Sequence, residues 1–427
     1  MRFQRAFMNE LMMGCCAADI TPNAPMHMIG FGDIVSEGVE HPLAAQATVW
    51  SLAGRRCALI AIDHIGFGAE HAASLRARLA ALLGTGCEQV MLCFAHTHSA
   101  PNDDVERAYA EWVDGRVLEA ARSALCDMHP VRAAWGCAEV DIGVNRRAGG
   151  GALDRRAGVL KVADAATGEL RLLLMRLTAH CNALKGDNRR ISPDWFGAAR
   201  DLLSARWGCP VVLTQGAAGN VAPRFFASRI DPPDADDTSG RFVRTEDALG
   251  EMARAVLSAV EPVVEALEPH DMANMDMYSA WGELCAAVPD AARARAIAEE
   301  ARREAGIDGT AWLSEVARLQ AAGVTAQRER VEMQFFRLGE GCLIGVPNEL
   351  MCELALEVRA RAGELAFLGG YTNGCSGYLP TAEEYDRGGY EVLWSMLDYF
   401  MYHGRVMPLN RDAADRVIDM ALDGLRA

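Results

Sequence analysis

The sequence predicts an α/β fold, a mixed β-sheet core flanked by helices. Two features carry that prediction. Short apolar runs alternate with helical patterns through the first half of the chain, the pattern that a mixed or substantially parallel sheet with covering helices requires. The chain also has 427 residues, 51% of them hydrophobic, enough to bury a large core. At roughly 150 residues per domain the length fits two or three units, yet large α/β enzymes often run longer as one. Neither an internal repeat nor a clean domain boundary interrupts the pattern.

In chain order, Gly14 to Ile20 reads as a first strand running into a Thr21-Pro22 turn. Ala45–Leu52 and Cys57–Ile62 read as strands around the turn Gly54-Arg55-Arg56, and Ala69–Leu83 has helical periodicity. Val90–Ala95 is a short apolar run, expected to be a buried strand, and it ends at His96. Ala108–Leu125 is helical again. Leu172–Leu177 and Val211–Leu213 are further strands, with the helix Asp194–Trp207 between them. Gly149-Gly150-Gly151 lacks the strand and helix context of a phosphate cradle and reads as a flexible loop. Arg229–Arg244, rich in Pro, Asp and Ser, reads as a long surface loop and a candidate lid. Pro289 to Arg330 is rich in Ala, Glu and Arg and reads as a solvated helical pair, with no heptad long enough for a coiled coil. Phe335–Val346 returns to strand character, and Arg411–Leu425 is a last helix.

Composition excludes some partners. The formal charge of −16 lacks the Lys/Arg excess that neutralises phosphates, which argues against nucleic acid and anionic membranes. No run of 18 apolar residues exists, so no stable membrane anchor of that kind is expected. The 13 cysteines are scattered without CxxC spacing, and residues such as Cys57, Cys93 and Cys342 sit in apolar stretches. They read as free, buried thiols of a reducing compartment. Arg2 and Arg5 ahead of Met12-Met13-Gly14-Cys15 give a weak lipoprotein-like pattern, but Glu10 interrupts it. The expectation is a cytoplasmic protein acting on a small molecule, with homo-oligomerisation left open.

The sharpest local feature is Phe94-Ala95-His96-Thr97-His98-Ser99. If the extended conformation persists, His96 and His98 point to one side, because strand side chains alternate with period two. Two imidazoles at a strand end suit a metal or a proton relay; two ordinary loop histidines are the alternative. A second apolar strand ends Leu177-Thr178-Ala179-His180, and its histidine either completes a site or caps the strand through a backbone hydrogen bond. Asp63-His64 ends a third strand. The two point in opposite directions, and Asp63 reads as a supporting carboxylate. Glu349 follows an apolar strand in Val346-Pro347-Asn348-Glu349, and the turn-rich stretch Thr372 to Pro380 exposes Tyr378.

Taken together, these segments resemble the neutral/alkaline, non-lysosomal ceramidases and their bacterial relatives. The resemblance runs nearly end to end. It is carried by Ala17 to Pro22 with Met28-Ile29-Gly30-Phe31, by His96 to Pro101, by Val144-Asn145-Arg146, and by Ala179-His180 followed by Ile191 to Gly197. It continues through Gln215 to Pro223, Pro347-Asn348-Glu349, and Asn373 to Tyr390. Each motif is modest, but their joint order is specific.

The resemblance implies a ceramidase-like catalytic domain over residues 13–427, with a helical insertion around 289–330. It implies one zinc ion per chain, held by His96, His180, Glu349 and Tyr378. It also implies a pocket lined by His98, Arg146 and Tyr390 as catalytic residues, with Gly30, Gly216 and Asn220 at the substrate. The implied reaction is hydrolysis of a carbon–nitrogen amide bond by zinc-activated water. In that reaction Arg146 and Tyr390 steady the oxyanion and His98 moves a proton to the leaving amine. The chain departs from the family at Gly216, where the family has an active-site serine. Ala217 and Asn220 stand where it has Asn and Asp. The C-terminal immunoglobulin-like domain and the secretion signal of the family are not matched. The substrate read from this is a small, soluble N-acyl or related amide. Two alternatives accompany it: a zinc esterase or lactonase, and a non-catalytic metal-holding binding protein.

Overall fold

The computed structural model describes residues 10–32, 34–147, 149–228 and 247–427, with the backbone of 243–244. Arg2, Arg5 and nearly all of the expected loop and lid at Arg229–Arg244 lie outside the described residues. The main sheet is built from β1 (Met12–Asp19), β2 (Ala44–Leu52), β3 (Arg55–Ile62), β4 (Val90–Phe94), β5 (His129–Glu139), β7 (Arg156–Asp164), β8 (Leu170–Leu177) and β9 (Val211–Gln215). The short strands β6 (Gly143–Asn145) and β10 (Val221–Pro223) pair beside it. The order across the sheet is β9-β8-β7-β5-β1-β2-β3-β4. Its outermost pairs, β3 with β4 and β8 with β9, are parallel, and the rest are antiparallel. The mixed sheet with flanking helices is the architecture the sequence predicts.

Both faces of this sheet are buried, so its strands read as apolar runs rather than as an apolar-polar alternation. Period two still sorts the side chains. Ala58, Ile60 and Ile62 of β3 face α1 (Ala69–Leu83) and α2 (Arg107–Cys126), while Cys57, Leu59 and Ala61 face the other way. On the second half of the sheet, Leu173, Met175 and Leu177 of β8 pack under α3 (Asp194–Trp207) and α4 (Ala248–Ala266). Leu172 and Leu174 join Leu59 and Trp50 on the opposite face.

That opposite face is covered by a second sheet. Its strands are β11 (Met275–Ala287), β12 (Ala326–Leu338), β13 (Gly341–Gly345) and β15 (Ala366–Gly369), in that order. Phe336, Leu343 and Phe367 press against Trp50, Leu160 and Leu174. The outer side of this sheet is covered by α5 (Ala291–Ala305), α6 (Thr310–Ala321), α7 (Cys352–Ala362), α8 (Ser395–His403) and α9 (Ala413–Arg426). The molecule is thus a stack of helices, sheet, sheet and helices. The expected solvated pair at 289–330 differs in two ways. Ile297, Trp312 and Val316 are core residues, so α5 and α6 are packed rather than solvated. Residues 326–330 belong to β12, which pairs with β11 over thirteen residues.

Polar side chains tie the two sheets where they meet. Arg176 of β8 is buried and donates to the carbonyls of Ile344 (2.6 Å) and Phe367 (2.8 Å) in the second sheet. Arg76 of α1 makes a two-pronged pair with Glu332 of β12, at 2.5 and 2.9 Å. Asn373 accepts from Leu92 N–H and donates to Gln334. Within the first layer, His71 of α1 bridges Asp103 (2.9 Å) and Asp114 of α2 (3.0 Å) and stacks on Phe67. All thirteen cysteines are free thiols. Among the described residues, no helix is long and apolar enough to cross a membrane.

Two predictions follow from these ties. Arg176→Met leaves two buried carbonyls without their donor and is expected to cost about 3 kcal/mol in denaturant unfolding; a loss below about 1 kcal/mol would show that the sheets do not depend on it. The second concerns His71. Burial opposes its charge, but Asp103 and Asp114 raise it to about 9. A raised basic group stabilises the fold most below its ordinary value and loses that contribution as pH climbs through the folded value. The melting-temperature gap between the wild type and His71→Gln is therefore expected to be wide at pH 6 and to narrow by pH 10. A gap independent of pH would refute the charged bridge.

Candidate active site

The parallel strand pairs at the two edges of the main sheet end near one another, and their following loops carry the histidines. Gln215, the last residue of β9, joins them. Its Nε2 donates to Ala95 (3.2 Å) and Ala179 (2.8 Å), the carbonyls just before His96 and His180. Thr97 Oγ1 donates to Ser192 O (2.7 Å), and Trp195 Nε1 donates to His180 O (2.9 Å). Asp194 accepts from the N–H groups of Ala183 and Leu184. The segment Ile191 to Gly197 therefore fastens both histidine loops to the start of α3.

The strand geometry expected for His96 and His98 does not persist. β4 ends at Phe94, and His96 takes a left-handed backbone with φ 63°. A period-two argument therefore does not apply at His96. The rings nevertheless meet, because the loop is stitched elsewhere: His96 N–H bonds His64 O, and His98 N–H bonds Cys181 O. The ring nitrogens of His96, His98 and His180 gather within 4.8 Å of one another.

Each of these rings turns its Nδ1 to a backbone carbonyl: His96 to Ile65 (2.7 Å), His180 to Ala218 (2.7 Å) and His98 to Gly30 (3.2 Å). A carbonyl only accepts, so in the neutral rings Nδ1 carries the hydrogen and Nε2 offers a lone pair. The Nε2 atoms of His96 and His180 lie 3.1 and 3.3 Å from Glu349 Oε2. The Nε2 of His98 and of His180 are buried without a hydrogen-bond partner. Burial pushes the His180 imidazole down to about 3, helped by Arg146. Burial, with His96 and His180 alongside, also drives His98 well below its ordinary value. Imidazole lone pairs and a carboxylate thus converge with no N–H between them, which is the donor chemistry of a cation site.

Glu349 reaches this point through a two-residue strand, β14 (Glu349–Leu350). It runs parallel to β16 (Tyr378–Leu379), with Glu349 opposite Tyr378. Arg146, just past β6, donates Nη2 to Gly219 O (2.7 Å) and Tyr378 Oη (3.0 Å), and its Nε lies 3.0 Å from Glu391. Tyr390 opens a π-helical turn, Tyr390–Trp394, and its ring centre lies 6.5 Å from that of Tyr378. A small cavity of about 50 Å³ is lined by Gly30, His96, His98, Glu349, Tyr378 and Tyr390. An outer hollow of about 510 Å³ shares Ile29, Gly30, Tyr399 and Tyr402 with it.

The remaining expected residues are placed elsewhere. Gly216 and Asn220 stand outside the cavity lining. Gly216 N–H bonds Leu177 O, and a Cβ there would collide with Thr178 Oγ1. Asn220 accepts from Cys352 N–H and donates to Glu353, tying its loop to α7. Asp63 is clamped by both ends of the Arg200 guanidinium, and His64 donates to Pro101 O, so neither joins the cluster.

Sequence reasoning missed several neighbours. Tyr371 also has a left-handed backbone, φ 54°; its ring covers His96 at 4.3 Å and its hydroxyl lies 3.4 Å from Glu349. Arg147 pins Glu384, Glu391 and Gly388 O, and so holds the loop that carries Tyr390. Tyr399, Tyr402 and His403 of α8 line the cavity. Their three-and-four spacing on one helix face was a readable signal. Tyr371 offered only an aromatic residue after Gly369-Gly370.

No protein-family model matches this chain, and no curated protein does. Solved structures do match. Neutral ceramidase from Pseudomonas aeruginosa is 20% identical with a TM-score of 0.72, over 98% of this chain and 75% of that one. A ceramidase complexed with C2 is 18% identical with a TM-score of 0.72, over 98% and 75%. Over 98% of its length the chain has a neutral ceramidase-like fold.

Proposed function

We propose that this chain is a zinc-dependent hydrolase that cleaves the carbon–nitrogen amide bond of a small N-acyl or related amide. One observation carries the reading. Three imidazoles spend Nδ1 on backbone carbonyls and turn Nε2 inward, and the Glu349 carboxylate lies 3.1 and 3.3 Å from two of those nitrogens. Such a set needs a cation. Nitrogen and carboxylate donors with few protein ligands suit zinc. The fold shared with two ceramidases supports an amide as the bond cleaved.

In this reading His96, His180, Glu349 and Tyr378 hold the ion. When bound, zinc supplies a Lewis acid that polarises a carbonyl and makes water more acidic. The other residues handle charge and protons. Arg146, half-buried and already hydrogen-bonded to Tyr378, sets a fixed positive charge beside the reacting carbonyl. The Tyr390 hydroxyl, kept protonated by burial, is a donor for the same oxygen. His98, with an unpartnered Nε2, takes the proton that the attacking water gives up and passes it to the leaving amine.

Elemental analysis of the purified protein is the test of the site. About one zinc per chain is expected, and His180→Ala should lose it. A wild type that takes up no zinc after reconstitution would end the hydrolase reading. His98→Ala separates two roles for that ring. As a proton carrier, the variant keeps its zinc while kcat falls by about 100-fold or more. Loss of zinc would instead make His98 a ligand, and an unchanged kcat would remove it from the reaction.

A further inference from the structure

The wall of the inner cavity formed by α8 contains one polar group with nothing to bond. Tyr399, Tyr402 and His403 face the same space as His96, His98 and Glu349. The Tyr402 hydroxyl is engaged by Gly66 O (2.8 Å) and Asp103 (3.1 Å), and the Tyr399 hydroxyl pairs with that of Tyr390. His403 is different: its Nδ1 is buried and has no hydrogen-bond partner. The ring lies directly on Gly377, where a Cβ would come within 2.5 Å of Cε1. Gly377 precedes Tyr378, and its carbonyl accepts from Glu349 N–H (2.9 Å). The imidazole is therefore seated against the backbone that carries two of the candidate ligands. A buried nitrogen without a partner is a standing cost, so a ring kept there points to a ligand that satisfies it.

Resting on the hydrolase reading above, we infer that His403 is a specificity-determining residue that hydrogen-bonds an uncharged polar group, a hydroxyl, of the amide substrate. A hydroxyl both donates and accepts, so it complements the ring in either tautomer. The surrounding tyrosines suit an uncharged group, and Asp104 and Asp398 at the outer hollow disfavour an anionic one.

The test compares three amides: N-butanoyl propylamine, N-butanoyl ethanolamine and N-(3-hydroxybutanoyl) propylamine. Each is assayed for kcat/KM and for thermal stabilisation of the zinc-loaded protein. The wild type is expected to favour one hydroxylated amide by about tenfold, the worth of one hydrogen bond. His403→Phe and His403→Ala should erase that preference at unchanged zinc content, and His403→Asn should recover part of it. No preference in the wild type by either readout overturns the inference, as does a preference that survives in the Phe and Ala variants. A wild type that is stabilised selectively by a hydroxylated amide but hydrolyses none, with the selectivity lost in His403→Phe, ends the hydrolase reading and keeps the role of His403.

Discussion

Lone pairs brought together in a buried space repel one another, and much of this structure can be understood as the means of holding them there. Three histidine rings and a carboxylate converge with no N–H between them. In a low-dielectric interior that arrangement is unfavourable until a cation enters. The protein fixes it by bonding the far side of every ring to a backbone carbonyl. It also accepts left-handed backbone at His96 and Tyr371, at a cost of about 1–3 kcal/mol each. Gln215, Thr97, Asp194 and Trp195 then lock the loops from behind.

The cluster belongs to neither sheet alone. His96 follows β4, one edge of the first sheet, and His180 follows β8, next to the other edge, whereas Glu349 and Tyr378 follow strands of the second. Their separation is set by how the two sheets pack. That gives a reason for charged and amide side chains at the junction, where apolar packing alone would allow sliding. Arg176, Asn373 and the Arg76–Glu332 pair have directional bonds, so they set a register as well as a contact.

Much of this was legible in the chain. The helices Ala69–Leu83 and Asp194–Trp207 were legible as helical segments, and the structure closes both with αL glycines, Gly84 and Gly208. The histidines stood out because they sit at the ends of apolar runs. Other features were hidden. The left-handed turn at His96 leaves no mark on a non-glycine sequence, so the expected alternation with His98 gave convergence for a reason that does not hold. The helical pair after Pro289 looked solvated because alanines form most of the buried face of its first helix. Asn220 resembled a pocket residue by motif, yet its amide is spent on α7. Whether a polar group faces a cavity or a helix end depends on tertiary contacts that spacing does not encode.

The short parallel bridge between Glu349 and Tyr378 bears on biosynthesis. Its two strands are separated in sequence by α7 and β15, and the histidines lie far upstream. A ribosome must therefore deliver the chain at least as far as Glu349 before the carboxylate can meet the imidazoles, and as far as Tyr378 before the bridge can close. Until then the histidine loops lack the counter-charge that makes them an ion site. Contacts of such long range close late and slowly, so any ion would be acquired only after the two sheets have met, not as the histidine loops emerge.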